Sequence, residues 1–305
     1  MRRVDAGLVG VAIVWGSSYL VARSAVVASD PGVVLFWRYA VSALACVALL
    51  AMVRPLVTAG ELRAGGLLGL SQAAVLALET YGVAHTDAAN AGVLISLTIV
   101  FTPLLDTAGA AASRGGLLAA SGVCVVGVAL LVGGDGLTAV HSGDLLVLGA
   151  AMVRAAHVVW IGRLGRRTPL RPLPLTTVQT VVGSVVFAPL ALLQPTPSIS
   201  DGAWWVGIGY LALGCSVFAF LTQTWAVRKT SASRAGLLLG TEPVWAVLIA
   251  VIVGGESLGV TAVAGSALVI AGCSWGRRAE QRTRAAATIR REAEQEGPCP
   301  RPMTV

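Results

Sequence analysis

Arg38, Glu79, Arg154 and Glu242 lie in stretches that are otherwise apolar. A charge at the centre of a bilayer costs at least about 2.5 kcal/mol on insertion scales, so such residues pair with one another or face water. Glu242 stands next to Pro243 in the run from Thr230 to Glu256, TSASRAGLLLGTEPVWAVLIAVIVGGE. A proline inside a helix frees the carbonyl four residues earlier, here that of Leu239, and adds a second polar group beside the carboxylate. The expected chemistry is that of a polar cavity. In one reading Glu242 binds a cationic or amine group or exchanges a proton. In the other it is a static ion pair with Arg154 or Arg38.

Arg154, His157 and Trp160 are spaced three apart and share one helix face. Burial and a neighbouring arginine both disfavour a charged imidazole, so His157 is either a proton switch or a hydrogen-bonded packing residue. Arg38 has a forked donor that suits a substrate carboxylate or a helix-to-helix clamp. Trp15, Ser17, Ser18 and Tyr19 bring hydroxyls and aromatic faces into the first apolar run; they face a ligand or bond their own backbone. Trp204 and Trp205, near the end of another run, read as interfacial anchors. The sequence has no phosphate-binding glycine loop with a lysine, no His-Glu-x-x-His, no Gly-x-Ser-x-Gly and no metal-spaced His/Cys set. ATP-driven and hydrolytic chemistry therefore lack their residues, and no catalytic residue, metal or cofactor is expected.

These side chains need elements that hold them in lipid. The chain of 305 residues is 56% hydrophobic and 12% charged, far below the roughly 25% charged of a soluble domain. Taking roughly 20 residues per crossing, spans are expected near 6–27, 32–53, 64–84, 88–110, 115–133, 143–162, 173–193, 203–226, 231–253 and 258–275. With both ends of the chain on the cytoplasmic side, every Lys and Arg outside these spans falls inside the cell. The outer loops carry Asp30, Asp87, Asp135, Asp144, Asp201 and Glu256. The net charge of +7 thus follows membrane topology, and no nucleic-acid partner is expected. The five cysteines show no paired spacing and read as small hydrophobes. Beyond Arg277 the chain turns to alternating charge, which suits a solvated helix.

The chain also repeats itself. Thr86, Ala88, Ala91 and Gly92 recur as Thr230, Ala232, Ala235 and Gly236, and each copy runs on to a proline, Pro103 or Pro243. Extending the offset backward sets Glu79 opposite Gln223, and Thr98 falls opposite Glu242. The expected organisation is two five-helix units, 1–138 and 139–278, followed by a charged tail, 279–305. Five is odd, so the second unit enters the membrane inverted, an arrangement in which one half rocks against the other around a central site.

Trp15-Gly16-Ser17-Ser18, Pro31 followed by Arg38, the Thr86 to Gly92 run with Pro103, Pro243 followed by Gly255-Glu256, and the late glycines Gly265 and Gly272 together resemble the drug/metabolite transporter superfamily, in particular its EamA-type ten-helix permeases. The resemblance covers about residues 5 to 276, and Arg38 matches the family arginine. It departs in two places. Ser113 stands where a first-copy counterpart of Glu256 would be, and Arg154-Ala155-Ala156-His157 replaces the Trp-Gly-Ser-Ser element in the second copy. The resemblance implies an all-α integral membrane protein of the inner (cell) membrane, with ten transmembrane helices in two inverted repeats. It implies a secondary transporter, an exporter by family resemblance alone, that moves a small polar or amphipathic metabolite by alternating access. The implied partners are the small-molecule substrate, the lipid bilayer and a coupling proton, with the protein a monomer or homodimer. A multi-pass enzyme acting on a lipid-linked substrate and a non-transporting sensor or assembly subunit remain the alternatives. The expected substrate or coupling set is Trp15, Ser17, Ser18, Tyr19, Arg38, Glu79, Arg154, His157, Gln223, Glu242 and Pro243.

Overall fold

A computed structural model describes residues 2–85, 94–106, 111–132, 142–167, 170–198, 201–254 and 259–296. These residues are almost entirely helical. The elements are α1 (Arg2–Ala28), α2 (Pro31–Val53), α3 (Ala59–Val83), α4 (Leu94–Leu105), α5 (Ala111–Val132) and α6 (Ser142–Arg167). They continue as α7 (Pro172–Leu193), α8 (Gly202–Lys229), α9 (Ala232–Leu239), α10 (Glu242–Gly254) and α11 (Val260–Glu296). Among the described residues, α2, α6, α7 and α8 are long and apolar enough to cross a bilayer, while the apolar parts of α4, α5 and α11 are shorter. The Thr86 to Gly92 motif, the Gly255-Glu256 pair and the last nine residues lie outside the described residues.

Helix starts follow local chemistry. Asp30 accepts from the Gly32 amide ahead of Pro31, a residue whose fixed φ suits the first helical position. Thr58 and Glu61 form a reciprocal capping box that opens α3. Glu61 is also held by Arg171, whose Nη2 lies 2.7 Å from Oε2 and whose Nε and backbone amide reach Oε1. The pair ties the start of α3 to the start of α7, ahead of the apolar part of either helix. Arg171 lowers the Glu61 carboxyl from about 4.5 to about 2. The folded value is the lower one, so this contribution to stability is complete above about pH 4.5 and fades as pH falls toward 2. Thermal melts of wild type and Glu61→Gln in detergent are expected to differ at pH 6 and to converge over that window.

Two elements depart from the sequence reading. The ninth expected span is not one helix with a central proline: it breaks at Gly240-Thr241 into α9 and α10. Pro243 therefore falls in the first turn of a new helix, where its missing N–H breaks no intrahelical bond. At the other end, the last span does not stop near 275, because α11 runs unbroken through the charged residues to Glu296. A third feature has no sequence signal. Residues Leu213–Phe218 of α8 form a π-turn, in which Ser216 Oγ bonds the carbonyl of Leu211 five residues back.

The packing pairs α5 with α11, α2 with α7 and α4 with α9. α3 packs on α6 and α7, α1 and α2 pack on α8, α4 meets α6, and α1 meets α9 and α10. Glycine permits the closest of these approaches. A Cβ at Gly272 on α11 would sit 2.6 Å from Cys124 Sγ, and one at Gly183 on α7 would lie 2.3 Å from the Tyr39 ring. Tyr39 is fully buried and stacked on Phe187, so it has nowhere to move. Gly183→Val is expected to lower stability by about 1–3 kcal/mol in a detergent unfolding titration.

Trp204 is not an interfacial anchor. Only 4% exposed, it packs into the core and donates its indole N–H to the Ala25 carbonyl, because α1 ends against α8 at that level. Trp205 stands edge-on to both Trp204 and Trp37 in a small aromatic cluster.

Candidate functional site

Arg154, near the middle of α6, reaches two carboxylates at once. Its Nη2 lies 2.7 Å from Glu79 Oε2 on α3, and its Nη1 lies 3.2 Å from Glu242 Oε2 at the start of α10. The side chains are 14%, 16% and 6% exposed, so the group sits in a low-dielectric interior where each partner needs the others. Glu242 takes its place because α9 and α10 are separate helices. It sits in the first turn of α10, where the positive end of the helix dipole favours a carboxylate. Discontinuous helices that point a terminus into the bundle are a common way to build an ion or substrate site in lipid.

Trp15 of α1 closes the cluster from another side. The Arg154 guanidinium lies 5.1 Å from its ring centroid, within cation–π range. The Trp15 indole N–H donates to the carbonyl of Cys215 at 2.9 Å. Arg38 on α2 uses the same carbonyl at 3.5 Å and donates through Nε to Ser216 Oγ at 2.9 Å. Arg38 is 9% exposed, and among the described residues its donors meet neutral acceptors. The π-turn thus supplies the acceptors that connect Trp15 and Arg38. One chain of contacts runs from the two carboxylates through Arg154 and Trp15 to Arg38.

Beside Arg154 lies a small space of about 20 Å³, room for about one water. Ser96, Thr98, Gly236, Gly240, Glu242 and Pro243 are among its lining residues. Thr98 on α4 thus faces the same space as Glu242, its expected counterpart.

The remaining sequence candidates fall elsewhere or are tied locally. His157 is buried, with Nδ1 2.8 Å from Ser71 Oγ on α3. Ser17 and Ser18 bond the carbonyls of Val14 and Trp15 in their own helix, and Ser17 also meets the Tyr210 hydroxyl. Gln223 is buried on α8, two turns beyond Ser216. The side chain of Tyr19 lies outside the described residues. The sequence reading missed Ser71, Cys215 and Ser216. Cys215 reads from sequence as a small hydrophobe, and nothing in residue type or spacing reveals the π-turn that exposes its carbonyl.

At the end of the bundle where α1 and α9 begin and α4 ends, a second polar set joins the helices. Arg234 is 2% exposed and grips Asp5 bidentately at 2.8 and 2.7 Å. Ser233 binds Asp106 Oδ2 through Oγ at 3.0 Å. The sequence reading had placed Arg234 simply among the cytoplasmic basic residues.

The chain matches the EamA-like transporter family over residues 3–133 and again over 141–275. It belongs to that family. A protein named as an uncharacterised transporter from Archaeoglobus fulgidus is 26% identical over 272 residues, covering 87% of this chain and 83% of that one. Another of the same description, from Haemophilus influenzae, is 31% identical over 144 residues, covering 45% of this chain and 84% of that one. A crystal structure of a further protein shares the fold, with a TM-score of 0.74 at 18% identity over 91% of this chain and 98% of the other. Membership of the EamA-like family makes this a multi-pass membrane transporter, not an enzyme.

Proposed function

We propose that this EamA-like protein is a secondary transporter of the inner (cell) membrane that exports a small polar or amphipathic metabolite by alternating access, around the centre formed by Arg154, Glu79 and Glu242. The observation that carries the reading is Arg154 held between carboxylates from α3 and α10, beside a small space. The lack of any nucleotide-binding motif leaves ion or substrate gradients to drive it.

Two inverted five-helix repeats, ten spans in all with both ends cytoplasmic, are the architecture we infer. The two family matches divide the chain near 133–141. Exchanging the first five expected spans with the second five, α9 and α10 counted together, also leaves the helix pairings in place: α2 with α7, α4 with α9 and α5 with α11. The exchange converts α3 on α6 into α8 on α1 in the same way. One half rocking against the other would open the centre to each side in turn.

Two carboxylates around one guanidinium can take one more positive charge, a proton or a substrate amine. Arg38, bonded to neutral groups, is the matching seat for an acidic group. Export follows the family resemblance. The test is flux of candidate metabolites in inside-out vesicles with and without an imposed pH gradient. Glu242→Gln is expected to cut flux at least tenfold and to remove its dependence on the gradient. Unchanged gradient dependence in that variant rules out the proton role, and absence of flux in wild type for every metabolite released by overexpressing cells rules out transport.

A further inference from the structure

We infer a binding site for an anionic phospholipid between α3 and α6, distinct from the central cluster and independent of the transport reading. The observation is a crevice of about 630 Å³ lined by Leu67 of α3 and by Trp160, Arg163, Leu164 and Arg166 of α6.

Its chemistry is divided as a lipid's is. Leu67 is 47% exposed and Trp160 36% exposed, and Leu70 further along α3 is open as well, so an acyl chain has an apolar surface to lie on. At the polar end Arg166 is exposed, and Arg63 is exposed one turn before Leu67 on the same face of α3. Arg163 also lines the crevice, with Nη2 on the Leu105 carbonyl at 2.6 Å. Among the described residues the lining includes no carboxylate. Guanidinium groups bind phosphate through paired donors, and an indole at such a level favours the headgroup boundary. Basic crevices between transmembrane helices with apolar walls suit anionic headgroups. The apolar half decides the source of the phosphate: a free phosphate ion makes no use of Leu67 or Trp160, whereas a diacyl lipid covers both.

The location gives the site a reach beyond anchoring. α3 carries Glu79 and α6 carries Arg154, so a lipid seated here bridges the two helices that the central ion pair also joins.

The test is tryptophan quenching on the purified full-length protein in nanodiscs containing dibrominated phosphatidylglycerol or dibrominated phosphatidylcholine. Phosphatidylglycerol is expected to quench more strongly, and Trp160→Phe is expected to remove the lipid-selective part. Arg63→Ala and Arg166→Ala are each expected to weaken that preference about fivefold, with phosphatidylcholine quenching unchanged. Both arginines are exposed, and an unaltered melting temperature will show that the fold is intact. Equal quenching by the two lipids overturns the site, as does an undiminished preference in the Arg63→Ala/Arg166→Ala double variant or a selective component that survives Trp160→Phe. Loss of the preference on adding inorganic phosphate or glycerol phosphate overturns the assignment to a lipid.

Discussion

Arg154→Ala is expected to abolish transport and to lower stability by about 3–5 kcal/mol, the range for breaking a buried ion pair from one side. The magnitude follows from what remains: Glu79 and Glu242 both lose the guanidinium they share, in a largely buried setting. Trp15 also loses the cation over its ring. The informative comparison adds Glu79→Gln and Glu242→Gln to it, which removes the unpaired charges. The triple variant carries no net charge in the cluster and is expected to regain most of the stability while remaining without flux. Wild-type flux in Arg154→Ala would remove the cluster from the mechanism. A triple variant no more stable than the single one would show that the loss comes from packing and not from unpaired charge.

Arg234→Ala is expected to be nearly as damaging, at about 3–5 kcal/mol in a detergent unfolding titration. Arg234 is almost wholly buried and holds Asp5 through a bidentate pair, so its removal takes from that carboxylate its guanidinium partner. Replacing both partners together, Asp5→Leu with Arg234→Met, is expected to restore most of the loss, since a buried pair contributes little net stability over an apolar one of similar size. A coupling near zero in the double-mutant cycle would mean the two side chains act separately. The pair binds α1 to α9, and Ser233 with Asp106 binds α9 to α4. These contacts join α1, α9 and α4 at one end of the bundle, and under the alternating access proposed above they would have to part. The neutralised double variant is therefore expected to alter transport rate more than it alters folding.

The identity of the ions was legible from sequence because apolar surroundings make a charge conspicuous: Arg38, Glu79, Arg154 and Glu242 each stand in stretches with little else polar. Their pairing was not. Nothing in the spacing of residues 79, 154 and 242 distinguishes Arg154 from Arg38 as the partner of Glu242; the choice depends on how α3, α6 and α10 pack. The same limit explains Trp204, whose place near a helix end suggested an interface until the end of α1 was seen to cover it.

Composition, the repeated Thr-x-Ala-x-x-Ala-Gly core and the order of the motifs by themselves determined the class of molecule, an all-helical transporter of the EamA-like family. Hydropathy and family signatures are properties of residue type and order, and they survive without coordinates. Only the tertiary structure decided that the ninth span breaks at Gly240-Thr241, that α8 loosens into a π-turn at Cys215 and Ser216, and that Arg154 is shared by two carboxylates. Each of these depends on which backbone and side-chain groups find partners across helices. In lipid no water stands ready to satisfy a group left over, so the packing of neighbouring helices decides where a helix can break.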